Sequence, residues 1–332
     1  MKNFDVIGIG NAVVDVIASA RDEDLDALGI QKGVMQLIER DRSETLLKAQ
    51  AAMGKARHVP GGSVANTLAG IGRLGLETAF IGRVAADDLG RSYIEGTEAA
   101  GTRFVNAAIE DHPLPTSHSV ILVTPDGERS MNTYLGISSE LSPGDVPEGV
   151  FEGNKWLFLE GYLYDKAPGK EAFLRAADLC HRAGGRAGIA LSDPFCVDRH
   201  RSDFRALIAG SMDFVIGNIH EYQSLYQTDD LGAALDQAAQ ECRLVVCTRS
   251  AEPALLIEGG QRTEIEIHPI EPVDLTGAGD QFAAGLLYGL ASGRDLETAG
   301  RMGALAAAEV IAHVGPRPER DLLADFRAAG LV

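Results

Sequence analysis

What this 332-residue chain lacks narrows the reading first. It has only four cysteines, Cys180, Cys196, Cys242 and Cys247, and none of them forms a CxxC pair. They read as reduced thiols of a cytoplasmic protein, not as a disulfide framework. The eight histidines include no HxxxH pair, so no zinc site is indicated. Basic residues are scarce: 30 Lys and Arg stand against 48 Asp and Glu, giving a net charge of −18 and a pI near 4.8. Nucleic acid and an anionic membrane surface are therefore poor partners. No apolar run reaches membrane-spanning length, and the chain opens on a strand-like run, Phe4 to Ile9, with no signal peptide expected ahead of it. The Walker A pattern is missing, so nucleotide chemistry must use another loop. Neither an internal repeat nor a low-complexity linker divides the chain.

What is there is 45% hydrophobic, enough for a substantial core. Short buried strands are expected at Phe4–Ile9, Ala79–Gly82, Lys155–Leu159, Gly188–Leu191, Asp213–Ile216, Arg243–Thr248 and Ala254–Ile257. Helical stretches alternate with them: Val64–Leu74, Leu89–Ala100, Lys170–Ala183, Leu231–Glu241 and Leu296–Ala312. This order predicts an α/β fold, a mostly parallel sheet with helices on both faces. Its ligands belong at the carboxyl ends of the strands. Two stretches break the alternation. Val13–Leu37 carries a strand, charged residues and a second apolar run. Arg103–Leu135 reads as several strands, with a turn at Pro125-Asp126-Gly127. They are either surface hairpins or a small paired sheet.

One stretch organises the rest. Thr263, Ile265 and Ile267 alternate like a strand, and Phe282, Leu286 and Leu290 recur like one face of a helix. Between them lies Asp274-Leu275-Thr276-Gly277-Ala278-Gly279-Asp280. Small residues at a helix start expose main-chain N–H groups and make an anion site. Asp280 is then either a helix cap or a base beside that anion. Other pieces allow two readings as well. Asn11 and Asp15 share a strand face and either are solvated or grip hydroxyls. Pro60-Gly61-Gly62-Ser63-Val64-Ala65-Asn66 is a glycine turn into a helix, with Ser63 a plausible cap. Asn218 and Glu221 face the same way on a first helical turn. Gly8-Ile9-Gly10 lacks the third glycine of a dinucleotide fingerprint, and strand follows it, which argues against a nicotinamide oxidoreductase.

The segment Asp274–Asp280 resembles the second signature of the PfkB, or ribokinase, family of carbohydrate kinases, and the resemblance spans almost the whole chain. It implies a ribokinase-like fold with a β lid: 1–12, 38–102 and 136–332 as the large domain, 13–37 and 103–135 as the lid. It implies phosphoryl transfer from ATP, with Asp280 as base and the Gly277, Ala278 and Gly279 amides around the phosphoryl group. Gly10–Asp15 and Pro60–Asn66 resemble the family's substrate segments, which makes Asn11, Asp15, Gly61, Gly62, Ser63 and Asn66 acceptor contacts. Asn218-Ile219-His220-Glu221 resembles its Asn-x-x-Glu motif, with Glu221 holding Mg²⁺ through water. Asp274 resembles the position beside a monovalent cation, usually K⁺. Thr276 and Thr248 fall on the nucleotide side, though Thr248-Arg249-Ser250-Ala251-Glu252 lacks both glycines of the usual loop.

Gln36, Leu135 and Tyr162, with Phe195 after Asp193-Pro194, tilt the expected acceptor toward a nucleoside, adenosine first. A sugar, as in ribokinase or fructokinase, and a nucleotide-binding regulator without catalysis are the other readings. Tyr164, by contrast, reads as core. A monomer and a homodimer paired through lid edges are both compatible with the sequence.

Overall fold

The computed structural model describes residues 3–332. Fourteen strands form two sheets among them. They are β1 Val6–Ile9, β2 Val13–Ser19, β3 Met35–Leu37, β4 Arg57–Pro60, β5 Thr78–Ile81, β6 Thr102–Phe104, β7 Ser117–Val123 and β8 Arg129–Tyr134. Then come β9 Trp156–Glu160, β10 Arg186–Ala190, β11 Phe214–Asn218, β12 Leu244–Arg249, β13 Glu252–Glu258 and β14 Gln261–Ile265. The helices are α1 Asp22–Leu28, α2 Arg40–Met53, α3 Ser63–Arg73, α4 Asp88–Ala99, α5 Ala167–Arg182 and α6 Pro194–Ser211. They continue with α7 Ile219–Tyr226, α8 Leu231–Glu241, α9 Ala278–Ala291, α10 Leu296–Val310 and α11 Leu322–Ala328.

The large sheet runs β14-β13-β12-β11-β10-β9-β1-β5-β6 and is parallel except at β13 and β14. Its strands are apolar on both sides because both faces are covered. In β1, Ile7 and Ile9 enter one core and Val6 the other. The chain leaves β1 for β5 and β6 on one side, then returns to β9 and steps outward through β10, β11 and β12. The order therefore reverses between β1 and β9, where a crevice opens at the strand ends.

The small sheet runs β3-β8-β7-β2-β4. Its boundaries differ from the ranges expected for the lid. β4 belongs to it although Arg57–Pro60 lies outside those ranges, and Thr102–Phe104 belongs to the large sheet instead. β4 is an edge strand ending in proline and carries no alternation to read. Phe104 packs with Phe80 and Tyr93 in the large core. One face of the small sheet is closed by α1 and α2, through Leu25 and Leu46 against Val120 and Leu122.

α9 is more than an amphipathic helix: ten of its residues, Gln281 to Ala291 with only Leu290 excepted, are buried. It packs on α10 so closely that a Cβ on Gly285 would meet the Met302 carbonyl oxygen at 2.4 Å. The Gly- and Ala-rich composition of both helices permits that approach. Among the described residues no helix is long and apolar enough to cross a membrane, and the four cysteines are buried thiols outside any disulfide.

Candidate active site

The crevice is built from the carboxyl ends of the strands and the amino ends of the helices after them. A cavity of about 120 Å³ is lined on one side by Ser63, Thr67, Gly279 and Asp280, and on the other by Gly217, Asn218, Glu221 and Thr248.

Gly277 caps α9 at φ +84°, a backbone angle that favours glycine, and a Cβ there would strike Pro316 at 2.5 Å. The Ala278 N–H closes the turn on the Leu275 carbonyl at 3.3 Å, so the expected ring of three free amides shrinks toward Gly277 and Gly279. Asp280 is the third helical residue and not the cap. Its Oδ1 accepts from the Ser63 hydroxyl at 2.6 Å and its Oδ2 from Asn66 Nδ2 at 3.0 Å. Burial pushes its pKa up to about 6 against those two hydrogen bonds.

The acceptor side departs from the expected contacts. Gly62, at φ +94°, is the cap of α3, and a Cβ there would lie 2.3 Å from the Asn11 carbonyl oxygen. Ser63 is the first helical residue, and its hydroxyl crosses to Asp280. Asn66 spends its amide on Asp280 and on Arg317, whose Nε donates to Oδ1 at 3.2 Å. Asn11 is buried: its Nδ2 donates to Glu160 at 2.8 Å and its Oδ1 accepts from Ser138 at 2.8 Å. Both asparagines thus brace the site through bonds within the chain. Asp15 remains beside the Gly61 backbone, where an added Cβ would meet its carboxyl at 2.9 Å. Burial raises its pKa to about 6, offset in part by Arg129 and Arg317.

Gln36 does not share Asp15's face. Asp15 pairs with Ser119, Ser119 with Thr133, and Thr133 with Leu37, so these four form one row across the small sheet. Gln36 points to the other side, where its amide donates to Asn132 at 2.7 Å. Leu37 and Met35 hold exposed apolar surface on Asp15's face, at 56% and 45% exposure. Leu135 is half-buried and accepts at its carbonyl from Ser138. Tyr162 is half-buried, and burial with the nearby Asp193 and Glu221 raises its hydroxyl pKa. Tyr164 is core, stacked with Phe173 and tilted against Phe204. Phe195 is neither core nor cavity lining; it lies 73% exposed near the start of α6.

On the nucleotide side, Asn218 caps α7 in a reciprocal box: its Oδ1 accepts from Glu221 N–H at 3.0 Å and its Nδ2 donates to Glu221 at 2.7 Å. Burial pushes Glu221 up to about 7. No lysine or arginine bonds its carboxylate among the described residues, so a divalent cation would relieve a buried acid there. The donor set fits magnesium held largely through water and phosphate oxygens, since the described residues contain no cluster of three metal-ligating side chains. Thr248 lines the cavity. The missing glycines after it are replaced by a tight β12–β13 hairpin with Ser250 at φ +52°.

Thr276 turns its N–H back to Asp274 Oδ1 at 2.9 Å. Asp274 Oδ2 accepts from Gly315 N–H at 2.9 Å and from Arg129 Nη1 at 2.9 Å. The expected monovalent-cation carboxylate therefore meets a cation of the chain itself. Burial would raise its pKa, but the Thr276 and Gly315 bonds and the Arg129 charge hold it below the usual range.

Three residues that sequence reading missed complete the site. Glu160, at the end of β9 in the strand-order reversal, accepts from Asn11 N–H at 3.1 Å, Asn11 Nδ2 and Val64 N–H at 3.2 Å. Burial raises it to about 7. A carboxylate closing an apolar strand, Trp-Leu-Phe-Leu-Glu, was the available signal. Arg317, flanked by prolines, ties Asn66 to the Pro60 carbonyl at 2.7 Å. Arg129 carried no signal.

Known proteins agree with this architecture. Residues 26–321 match the model of the pfkB family carbohydrate kinases. The chain is 43% identical to a probable sugar kinase of Rhizobium etli CFN 42, with both chains fully covered and a TM-score of 0.90. It is also 43% identical to the structure of adenosine kinase from Sinorhizobium meliloti, covering 99% of this chain and 100% of that one at a TM-score of 0.89. Among curated proteins, a 5-dehydro-2-deoxygluconokinase of Shouchella clausii is 26% identical over 98% of this chain and 95% of its own. A ribokinase-like fold and an anion loop facing a held carboxylate thus agree with the family match: the chain belongs to the pfkB family of carbohydrate kinases and is a phosphotransferase that uses ATP on a sugar or nucleoside hydroxyl.

Proposed function

We infer that this kinase phosphorylates the primary, 5′-type hydroxyl of a nucleoside, with adenosine the first candidate. The observation that carries the phosphotransfer reading is Asp280, a buried carboxylate aimed by Ser63 and Asn66 beside an open helix amino end. The acceptor oxygen attacks the γ-phosphorus, the bond to the β–γ bridging oxygen breaks, and ADP leaves. The hydroxyl proton passes to Asp280. The Gly277 and Gly279 amides oppose charge on the transferring group. Mg²⁺ beside Glu221 would neutralise phosphate charge. Asp15 is placed to accept from acceptor hydroxyls, since an ionised carboxylate takes both protons of a vicinal diol.

Two observations favour a nucleoside over a sugar. The Sinorhizobium meliloti relative is named an adenosine kinase at 43% identity. Leu37 and Met35 also offer apolar surface on the same sheet face as Asp15, suited to a flat base. The sugar reading keeps its support from the names of the Rhizobium etli and Shouchella clausii relatives.

A panel of nucleosides and sugars, with ADP release and ³¹P NMR of the product, decides between them. Adenosine is expected to give the 5′-monophosphate with the highest kcat/KM. A sugar turned over more efficiently would replace the nucleoside reading, and no transfer to any acceptor would leave a regulator that binds nucleotide.

A further inference from the structure

We propose that the guanidinium of Arg129, reaching in from the small sheet, occupies the place beside Asp274 expected for a monovalent cation, so that the anion loop holds its shape without potassium. Asp274 opens that loop, and its carboxylate is already served. Thr276 N–H, Gly315 N–H and Arg129 Nη1 each bond it at 2.9 Å. An ionised carboxylate offers about four acceptor positions, so little room for an ion is left. The pair is well buried, with the two side chains 10% and 11% exposed. A second cation at Asp274 would stand next to the guanidinium in a poorly screened place, where like charges repel strongly. Binding there requires Arg129 to leave.

The rest of Arg129 points the same way. Its Nε and Nη2 are buried and have no hydrogen-bond partner among the described residues. A bonding set of its own therefore does not explain its position; the Asp274 carboxylate holds it. The two residues lie 145 positions apart, one at the start of β8 and the other at the entrance to the α9 loop. One ion pair thus ties the small sheet to the anion loop and supplies the positive charge there. Removing the guanidinium leaves a buried carboxylate without its counter-charge, and a monovalent cation would then gain a site.

The experiment compares KCl with tetramethylammonium chloride at equal ionic strength, reading the thermal midpoint without substrates and turnover with ATP and acceptor. The turnover arm rests on the phosphotransfer reading; the midpoint arm does not, so the two fail separately. The wild type is expected to be indifferent in both, within about 1 °C and about twofold. Arg129→Gln is expected to melt at least about 2 °C higher in KCl than in the organic salt, as linked binding requires. It is also expected to gain turnover severalfold with potassium. Arg129→Lys, which keeps a cation, should stay as indifferent as the wild type. Potassium stabilisation or severalfold activation of the wild type overturns the proposal, and so does a folded Arg129→Gln indifferent in both readouts. If Arg129→Gln does not fold in either salt, the wild-type comparison decides alone.

Discussion

The two sheets bury their side chains differently. In the nine-stranded sheet both faces are covered, and successive residues of β1 enter separate cores. In the five-stranded sheet one face closes on α1 and α2, while the other carries the row Asp15, Ser119, Thr133 and Leu37. A doubly covered sheet holds the groups at its strand ends rigidly, and a half-covered one leaves side chains free to meet a ligand. The proposed function accordingly puts the chemistry at the ends of the large sheet and acceptor contacts on the small one. Substitutions should separate along this line: turnover and stability should follow the large sheet, and acceptor affinity the small.

The sharpest break is Asp280→Asn. Loss of the base should lower kcat by roughly 10²–10⁴-fold with circular dichroism unchanged. The same group sets the acid limb of the wild type. With its pKa near 6, kcat/KM should rise with pH and level off above that value, and the limb should vanish in the variant. Undiminished turnover in Asp280→Asn would detach the chemistry from the large sheet.

Next is Glu160→Ala. It would leave the Asn11 and Val64 N–H groups and the Asn11 amide without their acceptor in a buried place. The expected loss is about 2–4 kcal/mol in urea unfolding, since each orphaned donor costs its desolvation. A loss below about 1 kcal/mol would mean that water serves those donors equally well.

How much of this was legible depends on where each residue's partners lie. Most central strands of the large sheet were readable because burial on both faces leaves unbroken apolar runs, whereas the short edge strand β6 was assigned to the lid. The loop at Gly277–Asp280 was readable because its geometry is local. Glu160 and Arg317 were not, because their partners stand 96 to 257 residues away. Asn11 and Asn66 were found, but their bonds to Glu160, Ser138, Asp280 and Arg317 were not, since a bracing amide and a substrate-binding amide look alike in sequence. β4 was missed because an exposed edge strand carries no pattern.

Asp15→Asn tests the small sheet more gently. The acceptor KM should rise about tenfold or more as one charge-assisted contact weakens. Stability gives an independent check. Burial lifts Asp15 from 3.8 to about 6, so between those values the folded chain keeps a proton that the unfolded chain has released. This group's contribution is therefore present below pH 4 and lost as pH rises through about 6. The asparagine escapes that loss, and its stability relative to the wild type should improve between pH 4 and pH 8 by up to about 3 kcal/mol. An unchanged difference would place Asp15 in water in the folded chain.

The smallest effect is the most specific, because it separates two neighbours on one short strand. Strand register puts Leu37 on Asp15's row and Gln36 on the opposite side, bonded to Asn132. Leu37 is 56% exposed, so shortening it costs little folding energy but removes apolar surface from the acceptor face. Leu37→Ala should raise the KM for a nucleoside about three- to tenfold, leave the KM for ATP alone, and narrow the preference for nucleosides over sugars. Gln36→Ala should do the reverse: cost about 1 kcal/mol of stability through the lost Asn132 bond and leave acceptor preference unchanged. If Gln36→Ala moves the preference more than Leu37→Ala, the acceptor does not lie against the open face of the small sheet, and the division of labour between the two sheets fails at that point.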